Sequence, residues 1–468
     1  MLAVVKRIER IRLYPTTRQA AALAVMLDVT RELYNALLQQ RRDAYRLRKV
    51  TVTAKMQYTE ITALRAEDRR LRAVYREAED AVLHRLDLAM SAFFRHCKRG
   101  EAPGYPRFKS WQRWQQLEFP HGDRALRLDG VQQRVSIPDV GAVKLRKGRK
   151  VPAAYGRAWV VRKNNRWYSC FECERAVRPL PASNEMIGVD RGVHVLAALS
   201  DGRLIANPAV GEQRRAATAR LQRELEAMTV RDRARRVING REHRRVKARE
   251  RLARAREREA NARRDYARKV ARRLVDGADV IALEKLSLRA MTRSAKGSVQ
   301  CPGRNVRAKA GLNRVVLDSG FGLLRQMIVA KAEEAARTVV EVDCRFSSRE
   351  CSHCGHIARE SRRGRRFCCV RCGYRNHADV NAALVIRGRA QLARKSELDP
   401  AEEAGRRGKD AAAEAHTTKN RGFATASHNA TATRYRSRCA SIARGHVSKR
   451  PKASPSAPVA LLLKYSSR

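Results

Sequence analysis

The chain has 468 residues, which is enough for several domains with sizeable cores. It carries 101 Lys and Arg against 47 Asp and Glu, so its formal net charge is +54. This excess predicts a polyanionic partner, most simply nucleic acid. The sequence has no apolar run of about eighteen residues and no signal-peptide core, which argues against a membrane or secreted protein. We therefore expect a cytoplasmic protein.

The aromatic and cysteine contents indicate how the chain would contact nucleic acid and whether it would bind a metal. Aromatic residues make up 5% of the chain, so phosphate contacts are expected to dominate over broad base-stacking platforms. Five of the 11 cysteines fall between 351 and 372 instead of being spread along the chain. In a reducing compartment this clustering indicates a metal site and not a disulfide framework.

The chain begins with a predicted strand followed by helices. Residues 1–15 alternate between apolar and basic side chains, which is typical of a strand with a basic face. Thr16 and Gln19 fit a capping box at the start of an amphipathic helix. Residues 55–99 continue with helical patterns rich in Arg and Glu, interpreted as packing helices with solvated outer faces.

Residues 105–114 mix basic and aromatic side chains, a combination suited to backbone contact and stacking on nucleic acid. A Trp pair that packs a loop onto the core explains the same residues. Residues 126–175 then give short alternating runs, which predict a small antiparallel barrel completed by the first strand. Cys170 and Cys173 lie in one of these strands and face opposite ways, so we expect no metal there.

Three acids follow in the second half of the chain. Asp190 and Glu284 each end a run of four apolar residues, 186–189 and 280–283, which reads as a buried strand. Burying a carboxylate is costly unless it is paired or binds a metal. Asp379 begins an amphipathic helix, where an acid is favoured by the helix dipole. Taken singly, the strand-end acids could pair with an arginine, and Asp379 could cap its helix.

The segments between these acids predict an α/β alternation. Residues 211–276 are dense in Arg, Ala and Glu and predict a long helical hairpin that turns near Gly240. Residues 294–311 have loop composition and could be a lid or an ordinary loop. A helix over about 317–337 and a strand over 338–342 come next.

Two C-x₂-C-G knuckles share the segment before Asp379, and they consist of Cys351 with Cys354 and of Cys369 with Cys372. Four thiolates at this spacing can hold one tetrahedral Zn²⁺ with no position left for water, which predicts a structural zinc ribbon. Cys368 breaks the register and is interpreted as a bystander. His353 and His356 are expected on the surface.

Together the acids resemble the RuvC-type, RNase H-like nuclease site, whose three carboxylates hold two Mg²⁺ ions. Their order differs from that of the DDE transposases, in which two aspartates precede the glutamate. The segments IGVDRGV, ALEKLSLRAM, SSRECSHCGH and FCCVRCGYRNHADVNAAL resemble TnpB, the OrfB-type protein of small insertion sequences. Through TnpB they resemble the compact type V CRISPR effector nucleases, over roughly residues 5–390.

This resemblance implies a site and a function. Asp190, Glu284 and Asp379 would be catalytic carboxylates that bind Mg²⁺, with Mn²⁺ as an alternative ion. The four knuckle cysteines would be the zinc ligands. The implied activity is RNA-guided DNA cleavage, in which a guide RNA from the transposon end pairs with double-stranded target DNA.

The expected architecture is multidomain, with an RNase H-like (RuvC) core, an inserted helical hairpin, a zinc ribbon and an N-terminal β-barrel that contains a helical bundle. The predicted parts are a wedge-like barrel (1–15 and 100–178), a helical recognition domain (16–99), a nuclease domain (184–345 and 377–390, with 211–276 inserted), the ribbon (346–376) and a basic low-complexity tail (391–468).

Several alternatives remain open at this stage. A nuclease-inactive RNA-guided regulator would have lost one or more of the three acids, and all three are present. A DNA-binding transposase accessory protein with structural carboxylates would not require the acids to converge. A DNA strand transferase is disfavoured by the order of the acids. The sequence does not indicate an oligomeric state.

Overall fold

In the computed structural model, the described residues are 3–148, 150–234, 242–298 and 300–398. The predicted turn at Gly240 and most of the predicted tail, from 399 onward, lie outside these ranges. Among the described helices, none is both long and apolar enough to cross a bilayer.

The first half of the chain forms a seven-stranded antiparallel sheet. Its strands are β1 (Val4–Tyr14), β2 (Gln116–Phe119), β3 (Arg127–Asp129), β4 (Arg134–Ile137), β5 (Gly141–Leu145), β6 (Ala158–Lys163) and β7 (Arg166–Ala176). Their order is β2-β6-β7-β1-β5-β4-β3, so β1 lies in the middle. The predicted strand is confirmed, but its alternation holds only over residues 10–13, where Ile11 and Leu13 are buried and Arg10 is exposed. The apolar Val4 and Ile8 lie exposed on the face that was predicted to be basic.

The hairpin between β6 and β7 turns at Asn164 and Asn165, both of which have positive φ values (50° and 59°). Two successive left-handed residues match the right-handed twist of the flanking strands, and Asn tolerates this conformation. Among the described residues no ladder joins the edge strands β2 and β3. The sheet therefore stays open, whereas the sequence predicted a barrel, and a helical bundle shares its core.

The bundle and the connecting helices are α1 (Thr17–Arg48), α2 (Ala54–Glu67), α3 (Arg69–Arg72), α4 (Arg76–Lys98), a 3₁₀ turn (Trp111–Arg113) and α5 (Gly122–Ala125). The capping box at Thr16 and Gln19 is confirmed at the start of α1. Leu33 of α1 belongs to the same buried apolar cluster as Phe119 and Phe171 of the sheet. Burial of this shared cluster therefore stabilises helices and sheet together.

A second, five-stranded sheet contains β8 (Met186–Asp190), β9 (Val195–Leu199), β10 (Leu204–Ala206), β11 (Val280–Glu284) and β12 (Thr338–Val342). The strand order is β10-β9-β8-β11-β12. β9 is antiparallel to both of its neighbours, β10 and β8, and β11 runs parallel to both β8 and β12. This order and these directions agree with the RNase H-like sheet that the sequence predicts.

The helices of this half are α6 (Val210–Ala234), α7 (Glu242–Gly277), α8 (Leu288–Met291), α9 (Val306–Ser319) and α10 (Phe321–Glu334). Two expectations were wrong here. The loop predicted over 294–311 ends at Val306, where α9 begins, and the helix predicted over 317–337 is two helices. The break falls at Gly320, whose φ of +68° is a left-handed conformation that ends α9.

A three-stranded sheet precedes the last described helix. It consists of β13 (Arg362–Arg363), β14 (Arg366–Cys368) and β15 (Arg375–His377), and α11 (Ala378–Leu398) follows directly. The helix extends beyond 390, where the low-complexity tail was predicted to start.

Candidate active site and metal centre

Asp190 and Glu284 end neighbouring parallel strands. The register pairs Leu283 of β11 with Val189 of β8, so the two acids are the next pair at the carboxyl edge of the sheet. Both strands are buried along their apolar residues, which fixes this register. The sequence therefore places two carboxylates side by side at one sheet edge.

The third acid, Asp379, reaches this edge because α11 packs closely on β8. A Cβ at Gly188 would lie 2.1 Å from the Ala383 carbonyl oxygen, so only glycine permits this approach. Asp379 lies one helical turn before Ala383, and Gly188 lies two residues before Asp190. This contact brings the start of α11 towards the end of β8.

The electrostatics of Asp190 reflect this convergence. Burial, together with the charges of Glu284 and Asp379, raises the pKa of Asp190 to about 8 against the opposing effect of Arg362 and Arg191. Like-charged carboxylates at a buried site favour protonation unless a cation is present. The Sγ atoms of the four knuckle cysteines all lie within 4.8 Å of one another. Among the described residues, the carboxylate oxygens of the three acids do not form a group as tight as this.

Arg191 holds Glu284 in place, a role that the sequence analysis did not assign. The Arg191 side chain is buried, and its Nε lies 3.4 Å from Glu284 Oε1. The Arg191 backbone N–H donates to the same oxygen at 2.9 Å, and the guanidinium also donates to the Glu284 and Phe321 carbonyl oxygens. Burial raises the pKa of Glu284, and Arg191 opposes this rise.

Arg362 is a second arginine that contacts a candidate acid, and the sequence motifs did not single it out. Its Nη2 donates a hydrogen bond of 2.8 Å to Asp379 Oδ1, and both side chains are partly exposed. Of the two strand-end acids, Glu284 thus pairs with an arginine, and Asp379 at the start of α11 pairs with another. The only sequence signal for Arg191 was its position directly after Asp190. Arg362 lay unmarked in an arginine-rich stretch.

The four predicted knuckle cysteines converge in one cluster. The Sγ atoms of Cys351 and Cys372 are 3.7 Å apart, and those of Cys354 and Cys369 are 3.6 Å apart. A tetrahedron with Zn–S bonds of about 2.3 Å has edges of about 3.8 Å, so these separations fit a zinc ion. The donor set and the geometry therefore suit the predicted structural metal.

The two knuckles have the same backbone pattern. Gly355 N–H donates to Cys351 O and Gly373 N–H donates to Cys369 O, each at 2.9 Å, and both glycines have positive φ. The pKa of the Cys369 thiol is lowered to about 6, mainly because it accepts a hydrogen bond from the Cys372 backbone N–H. Such amide bonds favour the thiolate form that binds metal.

Asn381 connects the ribbon to α11. The buried Asn381 side chain donates to the Glu350 carbonyl oxygen at 2.7 Å and accepts from the Ser352 backbone N–H at 3.0 Å. Asn381 is two residues from Asp379, so the first knuckle is fixed directly to the helix that carries the third acid. Ala378 N–H also donates to Arg365 O at 2.8 Å.

The remaining candidates stay outside both sites. Cys170 and Cys173 are buried in β7 and do not belong to the cluster of the four knuckle cysteines. Cys368 is exposed beside the cluster. His353 is exposed and stacks on Tyr374, with ring centroids 5.8 Å apart.

Three family models match different parts of the chain. The OrfB-type model described as "Probable transposase" matches residues 168–295, and the associated "Helix-turn-helix domain" matches residues 1–49. The model described as "Cas12f1-like, TNB domain" matches residues 321–386, which include both knuckles and Asp379.

Two curated relatives carry the name "Putative RNA-guided DNA endonuclease". InsQ of Escherichia coli (strain K12) is 34% identical over 312 residues, which cover 66% of this chain and 73% of the relative. The protein of Streptomyces pristinaespiralis is 27% identical over 422 residues, which cover 87% of this chain and 96% of the relative.

Among solved structures, a Cas12f1–guide RNA–target DNA complex superposes with a TM-score of 0.49 at 12% identity, covering 82% of this chain and 99% of the Cas12f1 chain. The family is shown by the sequence matches, and above all by the match to InsQ. The chain belongs to the OrfB-type, TnpB-like family of insertion-sequence proteins.

Proposed function

We propose that this protein is an RNA-guided endonuclease that cleaves double-stranded DNA phosphodiesters for a transposon. The observation that carries the proposal is the convergence of Asp190, Glu284 and Asp379 at one edge of the second sheet. Membership of the TnpB-like family supplies the RNA guidance, since relatives are named as RNA-guided DNA endonucleases. The net charge of +54 suits a chain that binds two nucleic acids.

The catalytic cofactor in this proposal is Mg²⁺, with Mn²⁺ as a substitute. Three carboxylates form the hard oxygen donor set that these ions prefer, and a bound cation would offset the repulsion among the acids that contributes to the raised pKa of Asp190. When bound, such ions supply an activated water and stabilise the leaving oxygen. Asp190, Glu284 and Asp379 are proposed to hold them.

The protein's own residues orient and balance these ligands. Arg191 fixes Glu284 through one carboxylate oxygen, so Oε2 is the oxygen left for a cation. The guanidinium group of Arg362 lies beside Asp379 and would offset part of the negative charge of the acids. Because Arg362 is partly exposed, its guanidinium can also contact a phosphate that enters the site.

We also propose a structural zinc ion at Cys351, Cys354, Cys369 and Cys372. In this proposal the RuvC-type core spans 184–345 and 377–390, with the hairpin 211–276 inserted and the ribbon at 346–376. The sheet of β1–β7 and the helices of 16–99 would contact guide RNA and target DNA. The guide RNA would come from the transposon end, and the protein would act in the cytoplasm.

The test is to express the protein with its native flanking DNA and to sequence the RNA that co-purifies. A discrete RNA that maps to the transposon end, with a variable 3′ segment, is expected. The purified complex should then cut a matching DNA in Mg²⁺ and leave a mismatched DNA intact. Heterogeneous cellular RNA without guided cutting would contradict RNA guidance, and guided binding without cutting would indicate a regulator.

A further inference from the structure

A cluster of aromatic and basic side chains lies where α1, α4 and the segment 105–114 meet. The buried rings of Tyr34 and Trp114 contact each other, with centroids 5.1 Å apart. Lys109 Nζ lies 5.5 Å from the Tyr34 ring centroid, and the Arg85 guanidinium lies 4.6 Å from the Trp114 ring centroid. Two cations thus lie against one aromatic pair.

The backbone of Lys109 fixes this segment, and the ammonium group is not used for that purpose. Asn35 Nδ2 donates to the Lys109 carbonyl oxygen at 3.0 Å, and the Lys109 N–H donates to Asn35 Oδ1 at 2.8 Å. Trp114 Nε1 donates to Thr30 Oγ1 at 2.9 Å and anchors the other end. The segment is therefore preorganised before any ligand binds.

The cations of the cluster repel one another. Burial lowers the pKa of Lys109, and the charges of Arg85 and Arg113 lower it further. Across the described ranges, none of these three cations lies within 4.0 Å of a carboxylate oxygen in an ion pair. Glu118 lines the same small cleft as Arg85, but its carboxylate pairs with Arg157 at 4.0 Å. A bound anion would offset this repulsion.

Two aromatic side chains extend from the same segment into solvent. Phe108 is 43% exposed and Trp111 is 54% exposed, unlike the buried Trp114. The Arg162 guanidinium lies 6.0 Å from the Trp111 ring centroid. Exposed aromatic rings beside cations are the combination that holds an unpaired base and its phosphate, because a base inside a duplex offers no free face.

We propose that Arg85 and Lys109 bind a backbone phosphate of single-stranded nucleic acid, and that Trp111 stacks on an adjacent unpaired base. A guanidinium group and an ammonium group supply charge-assisted hydrogen bonds to phosphate oxygens. The site rests on the proposed function in that its ligand is nucleic acid, but it requires no cleavage. Both single-stranded RNA and single-stranded DNA carry this chemistry, and the test separates them.

The experiment measures fluorescence anisotropy of short labelled oligonucleotides with the full-length protein in buffer without Mg²⁺. The probes are single-stranded RNA, single-stranded DNA and duplex DNA of one sequence. Lys109→Gln should weaken single-strand binding about tenfold and lower the salt-dependence slope by about one. The matched control is Lys395→Gln, which removes the same charge from an exposed position on α11 and should change affinity less than about twofold.

Trp111→Ala should weaken single-strand binding about tenfold and leave duplex binding nearly unchanged. Equal effects of Lys109→Gln and Lys395→Gln would overturn the site, since the net positive charge of the protein would then explain the binding. A duplex loss as large as the single-strand loss for Trp111→Ala would also overturn it. The probe with the larger loss, RNA or DNA, identifies the natural ligand.

The fold is checked by circular dichroism and by Tm for each variant. Lys109→Gln retains both backbone hydrogen bonds to Asn35, so its Tm should match that of the parent protein. If it does not, Arg85→Gln replaces it in the same comparison, and Lys109→Arg should restore binding. If the parent protein shows no guided cleavage, only the proposed function is refuted. The binding differences between the variants would still test the proposed site.

Discussion

Arg362 of the ribbon and Asp379 at the start of α11 are joined by a hydrogen bond of 2.8 Å. The two residues flank the second knuckle in the chain, so the bond closes a loop that contains Cys369 and Cys372. The four-cysteine cluster and the third acid therefore belong to one connected structural unit. A change at the cysteines should reach the nuclease site through this unit.

Cys354→Ser should remove the zinc ion and lower the Tm of the protein by several degrees, because the folding of such ribbons is coupled to metal binding. It should also reduce cleavage, since Asp379 loses its support. Zinc content by atomic absorption and Tm by calorimetry check this. The control Cys368→Ser, at an exposed neighbouring thiol, should keep one zinc ion per chain. Full zinc content in the Cys354 variant would refute the ligand assignment.

Asp190→Asn should abolish guided cleavage while guide and target binding persist. In metal-free buffer near pH 8 it should also raise the Tm, because the wild-type carboxylate ionises there against burial and the charges of Glu284 and Asp379. Cleavage gels, anisotropy and calorimetry measure the three effects. Asp201→Asn, at the exposed turn between β9 and β10, should leave cleavage intact. Joint loss of binding and cleavage would make Asp190 structural.

Arg191→Lys should slow cleavage at least about tenfold without changing nucleic-acid affinity. An ammonium group cannot reach the Glu284 carboxylate, the Glu284 carbonyl and the Phe321 carbonyl together as the planar guanidinium does. Single-turnover cleavage rates and anisotropy separate the two effects. The exposed Arg203 provides a matched Arg→Lys control. An unchanged rate would show that Glu284 does not need this orientation.

Glu79→Gln should flatten the pH dependence of stability. Burial raises the pKa of Glu79 to about 7 even though Arg65 lies 2.6 Å away. Since the folded pKa is above the unfolded value, this group's contribution is fully present below about pH 4.5 and is lost as the pH rises through about 7. The loss is on the order of 3 kcal/mol.

Thermal unfolding at pH 5 and pH 8 measures this contribution. The wild type should lose more stability between these values than the Glu79→Gln variant, in which the amide still accepts from Arg65. Glu67→Gln, an exposed change on α2, should behave like the wild type. Parallel pH profiles of the wild type and the Glu79 variant would contradict the raised pKa.

Local sequence signals predicted the parts of this structure that depend on neighbouring residues. The strand ends at Asp190 and Glu284 followed from short apolar runs, and the ribbon followed from cysteine spacing. The contact of Arg191 with Glu284 joins residues 93 positions apart, and that of Arg362 with Asp379 spans the second knuckle, so no local pattern marks either. The break at Gly320 was missed because apolar residues continue on both sides of it.

The central position of β1 also sets the order in which the protein can fold during synthesis. β1 lies between β5 and β7, and it pairs with β7 from Val4↔Ala176 to Leu13↔Trp167. At on the order of 5–20 residues per second, a ribosome needs roughly ten to thirty seconds to deliver β7 after β1. During that interval β1 has two unpaired edges, which are templates for aggregation. Its regularly spaced basic side chains, such as Arg10 and Arg12, then keep nascent chains apart by charge repulsion.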